Sequence, residues 1–229
     1  MIFNGFQKMT LLDFPEHVAC TLFAGGCNFR CPFCHNAGLV VGGEMEQIDE
    51  SVVLDYLKKR KGLLDGVCIT GGEPLLRPDV KSFIYKVKEL GYAVKLDTNG
   101  SRPALLKELV QEGLVDYVAM DVKNCMEKYG EAVGLADFDT VEVEESIDFL
   151  LQGNVDFEFR TTVVSPLHSV EDIEALACRI KGAKKYFLQN FVDSGDLIGE
   201  GMSALPREVL DEMLKVAQKQ VPETKLRGV

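Results

Sequence analysis

Short runs of β-branched and aromatic residues alternate along the chain with longer stretches whose apolar positions recur at helical spacing. The runs at 18–24, 66–70, 93–98, 117–122, 157–164 and 185–191 predict strands. Segments 49–61, 78–90, 103–112, 141–152, 169–180 and 205–220 predict amphipathic helices, with Pro78 and Pro103 suited to first turns and Gly91, Gly113 and Gly153 placed as stops. Strands alternating with crossover helices imply a parallel sheet buried on both faces, the α/β class. Six such units fall short of an eight-unit barrel and fit a partial (β/α)6 TIM-like one. A doubly wound open sheet would show the same periodicity. No Ser-, Gly- or Pro-rich linker divides the chain, so one domain over 1–229 is expected, with the glycine-rich stretch 194–201 a loop inside it. In either topology functional groups gather at the carboxyl ends of the strands.

Composition narrows the chemistry. The 229 residues carry 25 basic and 36 acidic side chains, a net charge of −11, and are 46% hydrophobic. That is enough apolar residue to build a core, while the acidic balance argues against a nucleic-acid partner. No stretch approaches the ~20 apolar residues that span a bilayer, and 1–13 lacks a signal-peptide core. A cytoplasmic protein without a membrane partner is therefore expected. In a reducing compartment, clustered cysteines mean metal or redox chemistry. Of the seven cysteines, three lie within eight positions just after the first predicted strand.

These are Cys27, Cys31 and Cys34, spaced C-x3-C-x2-C, with Gly25, Gly26 and Pro32 holding the segment as a loop. They fit reduced bystanders, a zinc knuckle completed by His35, or an iron–sulfur centre lacking the usual fourth cysteine. The other strand ends also bear polar groups. Gly71–Gly72–Glu73–Pro74 follows the second strand, and Asp97–Thr98–Asn99–Gly100 ends the third. Asp121 and Lys123, two apart at the end of the fourth, point the same way. Arg160 stands among apolar residues of the fifth strand and needs a carboxylate partner, and Asn190 ends the sixth.

This series resembles the radical S-adenosylmethionine (SAM) enzymes, with Phe33 and His35 flanking Cys34 beside the cofactor. The resemblance implies one 4Fe–4S cluster on the three cysteines, its open iron chelating SAM. Reductive cleavage would then give a 5′-deoxyadenosyl radical. By the same likeness Gly71, Gly72 and Glu73 hold the methionine amino group, and Asp97, Thr98 and Asn99 lie beside its carboxylate with a monovalent cation near Asp97. Arg160 takes that carboxylate, Asn190 approaches the adenine, and Asp121 and Lys123 form the catalytic floor. Together with the opening 6–15 segment (FQKMTLLDFP), the motif order is similar to that of glycyl-radical enzyme activating proteins, most of all those of anaerobic ribonucleoside-triphosphate reductase. The implied partners are a glycyl-radical enzyme and a flavodoxin- or ferredoxin-type electron donor. A radical SAM enzyme for a small molecule or another peptide, and a non-catalytic iron–sulfur or zinc protein, are the alternatives.

Cys20, Cys68 and Cys178 read as interior thiols, and Cys125 as a thiol that could face the site. His17 and His168 have no partner in a motif. The run Lys58–Lys59–Arg60–Lys61 reads as a complement to a helix carbonyl end, or as a docking patch for an acidic donor.

Overall fold

A computed structural model of the chain describes residues 1–42, 45–193 and 195–228. Ser194, first residue of the expected glycine-rich loop, lies outside them. In chain order the elements are β1 (Ile2–Phe3), β2 (Gly5–Thr10), β3 (Ala19–Ala24), α1 (Ala37–Val41), β4 (Ile48–Asp49), α2 (Glu50–Lys59), β5 (Gly66–Gly71), α3 (Val80–Glu89) and β6 (Ala93–Thr98). They continue with α4 (Pro103–Gln111), β7 (Tyr117–Asp121), α5 (Tyr129–Val133), α6 (Val141–Leu151), β8 (Asp156–Val163), α7 (Val170–Arg179), β9 (Tyr186–Asn190), α8 (Arg207–Gln218) and β10 (Thr224–Arg227). Local chemistry sets several starts: Asp49 accepts the Ser51 N–H at 2.9 Å to cap α2, and Ser169 and Asp172 form a capping box on α7.

One eight-stranded sheet runs β10-β9-β8-β7-β6-β5-β3-β2, and β1 pairs with β4 in a small second sheet. Every neighbouring pair in the large sheet is parallel except β2 with β3. The six predicted strands therefore stand in sequential order. With crossovers of one hand, sequential order places the helices on one face and curls the sheet toward a barrel. A doubly wound sheet needs a point where the order reverses, and none occurs among the described residues. β2 and β10, both unpredicted, extend the two edges without meeting, so the barrel is partial.

The two faces of the sheet differ in kind. Val67, Ile69, Val94, Leu96, Val118, Met120, Phe157 and Phe159 point outward into the apolar core under the helices. Alternation then turns Cys68, Lys95, Asp97, Tyr117, Asp121, Glu158 and Arg160 into the lumen. A charged lumen beneath an open carboxyl end is what positions the site. The run Lys58–Lys61 closes α2 just before the amino end of β5, at the opposite end of the barrel from the loop after β3. It cannot serve as a docking patch beside the cysteines. Among the described residues no helix is long and apolar enough to cross a membrane.

Candidate active site

The carboxyl ends of the strands surround a cavity of about 450 Å³. Cys27, Cys31 and Cys34 all line it, as do Phe33, His35, Gly71, Gly72, Asp97, Thr98, Asn99, Asp121, Lys123, Arg160 and Asn190. Residues 27 to 190 in sequence are thus brought to one cavity by the strand ends and the loops that leave them. Phe29, Asn36, Val40, Thr70, Thr162, Gln189, Val192, Arg227 and Gly228 complete the lining.

The cysteine loop is held by the chain itself. Gly72 donates its N–H to Ala24 O and Glu73 to Gly26 O, both at 2.8 Å. A Cβ on Gly72 would stand 2.1 Å from the Gly26 carbonyl oxygen. The glycine pair is therefore required by the close approach of the cysteine loop. On the far side of the loop, Asn99 donates through Nδ2 to Asn28 Oδ1 at 3.0 Å and toward Cys27 Sγ at 3.8 Å. Phe29 N–H also faces Cys27 Sγ, at 3.4 Å.

Glu73 departs from its expected place. Its side chain is fully buried and is not among the lining residues. One oxygen accepts from Leu75 N and Thr98 Oγ1, each at 3.0 Å, and the other from Asn99 N at 2.6 Å. It ties the ends of β5 and β6 together and touches no ligand space, so any amino group is left to Gly71 and Gly72. Burial pushes its carboxyl up, to about 7, against those three donors.

Below the loop lies an unbroken row of charge. Arg160 donates from Nε to Asp121 Oδ1 at 2.8 Å and from a terminal nitrogen to Asp97 Oδ2 at 3.0 Å. Lys123 Nζ meets Asp121 Oδ2 at 3.0 Å. Lys95, 2% exposed, sets its ammonium on Asp97 Oδ1. The partners that Arg160 needed are thus two aspartates of the protein. Both oxygens of Asp97, where the resemblance implied a bound monovalent cation, already meet cations of the chain. Burial works to raise both aspartates, but Arg160 with Lys123 holds Asp121 well below the carboxylate range, and Arg160 with Lys95 lowers Asp97. Burial works to lower Lys123, yet Asp121 lifts it above its ordinary value. Asp97, Asp121, Lys123 and Arg160 therefore stay ionised at neutral pH. Lys95 was missed, although its alternation with Asp97 is the signal that paired Asp121 with Lys123.

Further residues depart from expectation. Asn190 lines the cavity but spends its amide on Leu205, receiving Leu205 N–H at 3.1 Å and donating to Leu205 O at 3.3 Å. His35 stacks on Phe191 with ring centroids 5.7 Å apart, and burial lowers its pKa. His168 is a strut: Nε2 meets Lys123 O at 2.8 Å, Val164 N–H meets Nδ1 at 3.2 Å, and Phe33 packs edge-on at 5.9 Å. Cys125 is buried against Asp172 at 3.8 Å and does not line the cavity. Cys20 and Cys68 are buried as expected, whereas Cys178 is exposed on α7.

None of the cysteines is in a disulfide. Burial pushes Cys31 up to about 12 and raises Cys27, while the Lys123 charge pulls both back. Among the described residues, no three His, Cys, Asp or Glu side chains are already drawn around one metal position. Three free thiols facing one cavity, with N–H donors on Cys27 Sγ, fit a soft three-thiolate ligand set. A closed zinc site would need a fourth donor, and His35 is stacked on Phe191.

Comparison with known proteins bears on this arrangement. The sequence profile of the radical SAM superfamily matches residues 21–180. A Methanocaldococcus jannaschii protein, provisionally named a glycyl-radical enzyme activating enzyme, is 34% identical over 238 residues, covering 99% of this chain and 95% of its own. The pyruvate formate-lyase-activating enzyme of Clostridium pasteurianum is 27% identical over 237 residues, 93% of this chain and 96% of that protein. Among solved structures, Streptococcus suis SuiB bound to precursor peptide SuiA gives a TM-score of 0.71 at 14% identity, covering 91% of this chain and 48% of its own. A domain of pyruvate-formate lyase-activating enzyme from Bacteroides vulgatus gives 0.56 at 16%, covering 72% and 99%. At such identities these structures speak to the fold alone, and this chain spans about half the length of SuiB.

Proposed function

The chain belongs to the radical SAM superfamily and is an enzyme of that chemistry, and on that premise we propose that it activates a glycyl-radical enzyme, one of the anaerobic ribonucleotide reductase kind. The 4Fe–4S cluster and SAM of the superfamily supply, when bound, one-electron cleavage to a 5′-deoxyadenosyl radical that can take hydrogen from a peptide glycine. Cys27, Cys31 and Cys34 would hold the cluster. Gly71 and Gly72 would offer backbone carbonyls to the amino group, and the uncommitted N–H groups of Arg160 would take the carboxylate. Lys123, Asp121 and Thr98 form the floor of the cavity.

The observation that carries the activase reading is the full-length similarity to activating enzymes. The cavity of about 450 Å³ suits one ligand of drug size, and its open carboxyl end leaves room for a chain loop to approach. A flavodoxin- or ferredoxin-type protein is proposed as the electron donor.

Anaerobically reconstituted, dithionite-reduced protein is expected to release 5′-deoxyadenosine from SAM. With an anaerobic ribonucleotide reductase present it should also give a glycyl doublet by electron paramagnetic resonance. Cleavage without a doublet on any glycyl-radical partner would remove the activase proposal. Alanine at Cys27, Cys31 or Cys34 should abolish iron loading.

A further inference from the structure

Lys95 has no task in the reaction proposed above. It stands in the lumen on β6, 2% exposed, outside the cavity lining, and Asp97 is its one carboxylate partner among the described residues. Its only other polar neighbour given by the structure is the Cys68 thiol, 3.9 Å away. An ammonium is costly to bury, and an apolar side chain would fill the same space without that cost. Its presence needs a reason beyond packing.

The charges supply one. Lys95, Asp97, Arg160, Asp121 and Lys123 touch in sequence. Three cations face two carboxylates, leaving one positive charge over; without Lys95 the row would be neutral. The row borders the cavity through every member except Lys95. A wall with one cation in excess matches a ligand that brings one carboxylate, whereas a neutral wall would call for a separate cation.

We propose that Lys95 is a resident counter-cation, filling the position beside Asp97 that a small monovalent ion would otherwise take and, through Asp97, setting Arg160 to receive a ligand carboxylate. Lys95 is thus a positioning residue. The ligand half of the proposal rests on the SAM reading; the cation half does not.

The test uses the full-length, anaerobically reconstituted protein in equal concentrations of choline, sodium, potassium or ammonium chloride. Thermal midpoints of the native protein should not depend on which cation is present. Lys95→Ala vacates the place beside Asp97, so its midpoint should be higher in ammonium or potassium than in choline and should rise with concentration. Lys95→Gln keeps the bulk and a donor but not the charge, and should show no such response. SAM affinity by equilibrium dialysis should fall about tenfold in Lys95→Ala in choline, the size of one charge-assisted contact, and recover in ammonium. If Lys95→Ala folds only with a small cation, its refolding yield in ammonium against choline becomes the readout, and no yield in either overturns the proposal. A native midpoint that follows cation identity would also overturn it, as would a Lys95→Ala variant no more responsive than native. Native protein that binds no SAM, beside a responsive Lys95→Ala, would defeat the SAM reading and leave the counter-cation standing.

Discussion

Two arginines enter the same lumen and are used differently. Arg227 of β10 lays both terminal nitrogens on the two oxygens of Glu158, at 2.8 and 3.1 Å, and stacks its guanidinium 3.3 Å from the Phe187 ring centroid. Glu158, 1% exposed, has one further partner, the Tyr117 hydroxyl at 2.9 Å. Arg160 instead divides itself between Asp121 and Asp97 on two strands, and each of those aspartates has a second cation. The first pair is closed upon itself and tethers the final strand. The second is shared and replaceable, with N–H groups left facing the cavity. Residue type is the same in both; the number of alternative partners decides which is structural and which can turn to a ligand.

Breaking each pair should expose that difference. Arg227→Ala leaves Glu158 buried with only Tyr117 for company, and the cost of a broken buried pair applies. Because Arg227 is itself 37% exposed, the lower end is expected, about 3 kcal/mol, or roughly 6–12 °C in thermal midpoint for a chain of this size. Arg160→Met should cost less stability, since Lys95 and Lys123 still neutralise the two aspartates, but SAM affinity should drop about ten- to a hundredfold. Thermal melts and equilibrium dialysis on both variants check this, and the contrast collapses if Arg160→Met proves the less stable.

The six central strands could be read from the sequence because their outward faces are β-branched and aromatic, which is independent of partner order. Barrel against doubly wound sheet could not, since period carries no strand order. β10 (TKLR) escaped because two of its four residues are basic, and a charged strand residue reads as solvent-facing by default. The same default hid Lys95 and Glu158, whose partners lie 2 and 69 positions away. The motifs converge on one cavity, but the contacts of Glu73 and Asn190 depended on neighbours that spacing does not specify. Cys178 sits one position after the buried Leu176–Ala177 pair on α7, and helical rotation turns it outward.

Titration separates the aspartates around Arg160 from the strut beside them. Asp97 and Asp121 have depressed folded pKa values, so their contribution is present above about pH 3.9 and is lost as pH falls through the folded values. His168 acts in a different window. Burial lowers its pKa, against its bonds to Lys123 and Val164 and the charge of Asp172, with Lys128 adding to the lowering. Below about pH 6.5 the unfolded chain therefore binds more protons than the folded one, and stability falls with pH. Glu73, whose carboxyl burial raises to about 7, takes up a proton in the folded state over the same range and works the other way, so the readout is the native protein against His168→Asn. Between pH 7 and 5 the denaturant midpoint of the native protein should lose ground relative to that of His168→Asn. Equal slopes in the two proteins would remove His168 as a source of the pH dependence.

Thiols offer the smallest effect and the finest comparison of like residues in unlike places. Cys68 is fully buried in the lumen, 3.8 Å from Asp97, and burial followed by that carboxylate pushes its pKa well above the ordinary value. Cys20 and Cys125 are also buried with raised pKa values, whereas Cys178 is exposed on α7. The thiolate is the reactive form, so access and charge act in the same direction. With the three proposed cluster ligands occupied, one fast equivalent of a maleimide should react, and Cys178→Ser should remove it without changing SAM cleavage. A second fast equivalent that maps to Cys68 in the loaded protein would mean that the lumen opens on the labelling timescale, and the closed charge row around Asp97 would then not describe the working enzyme.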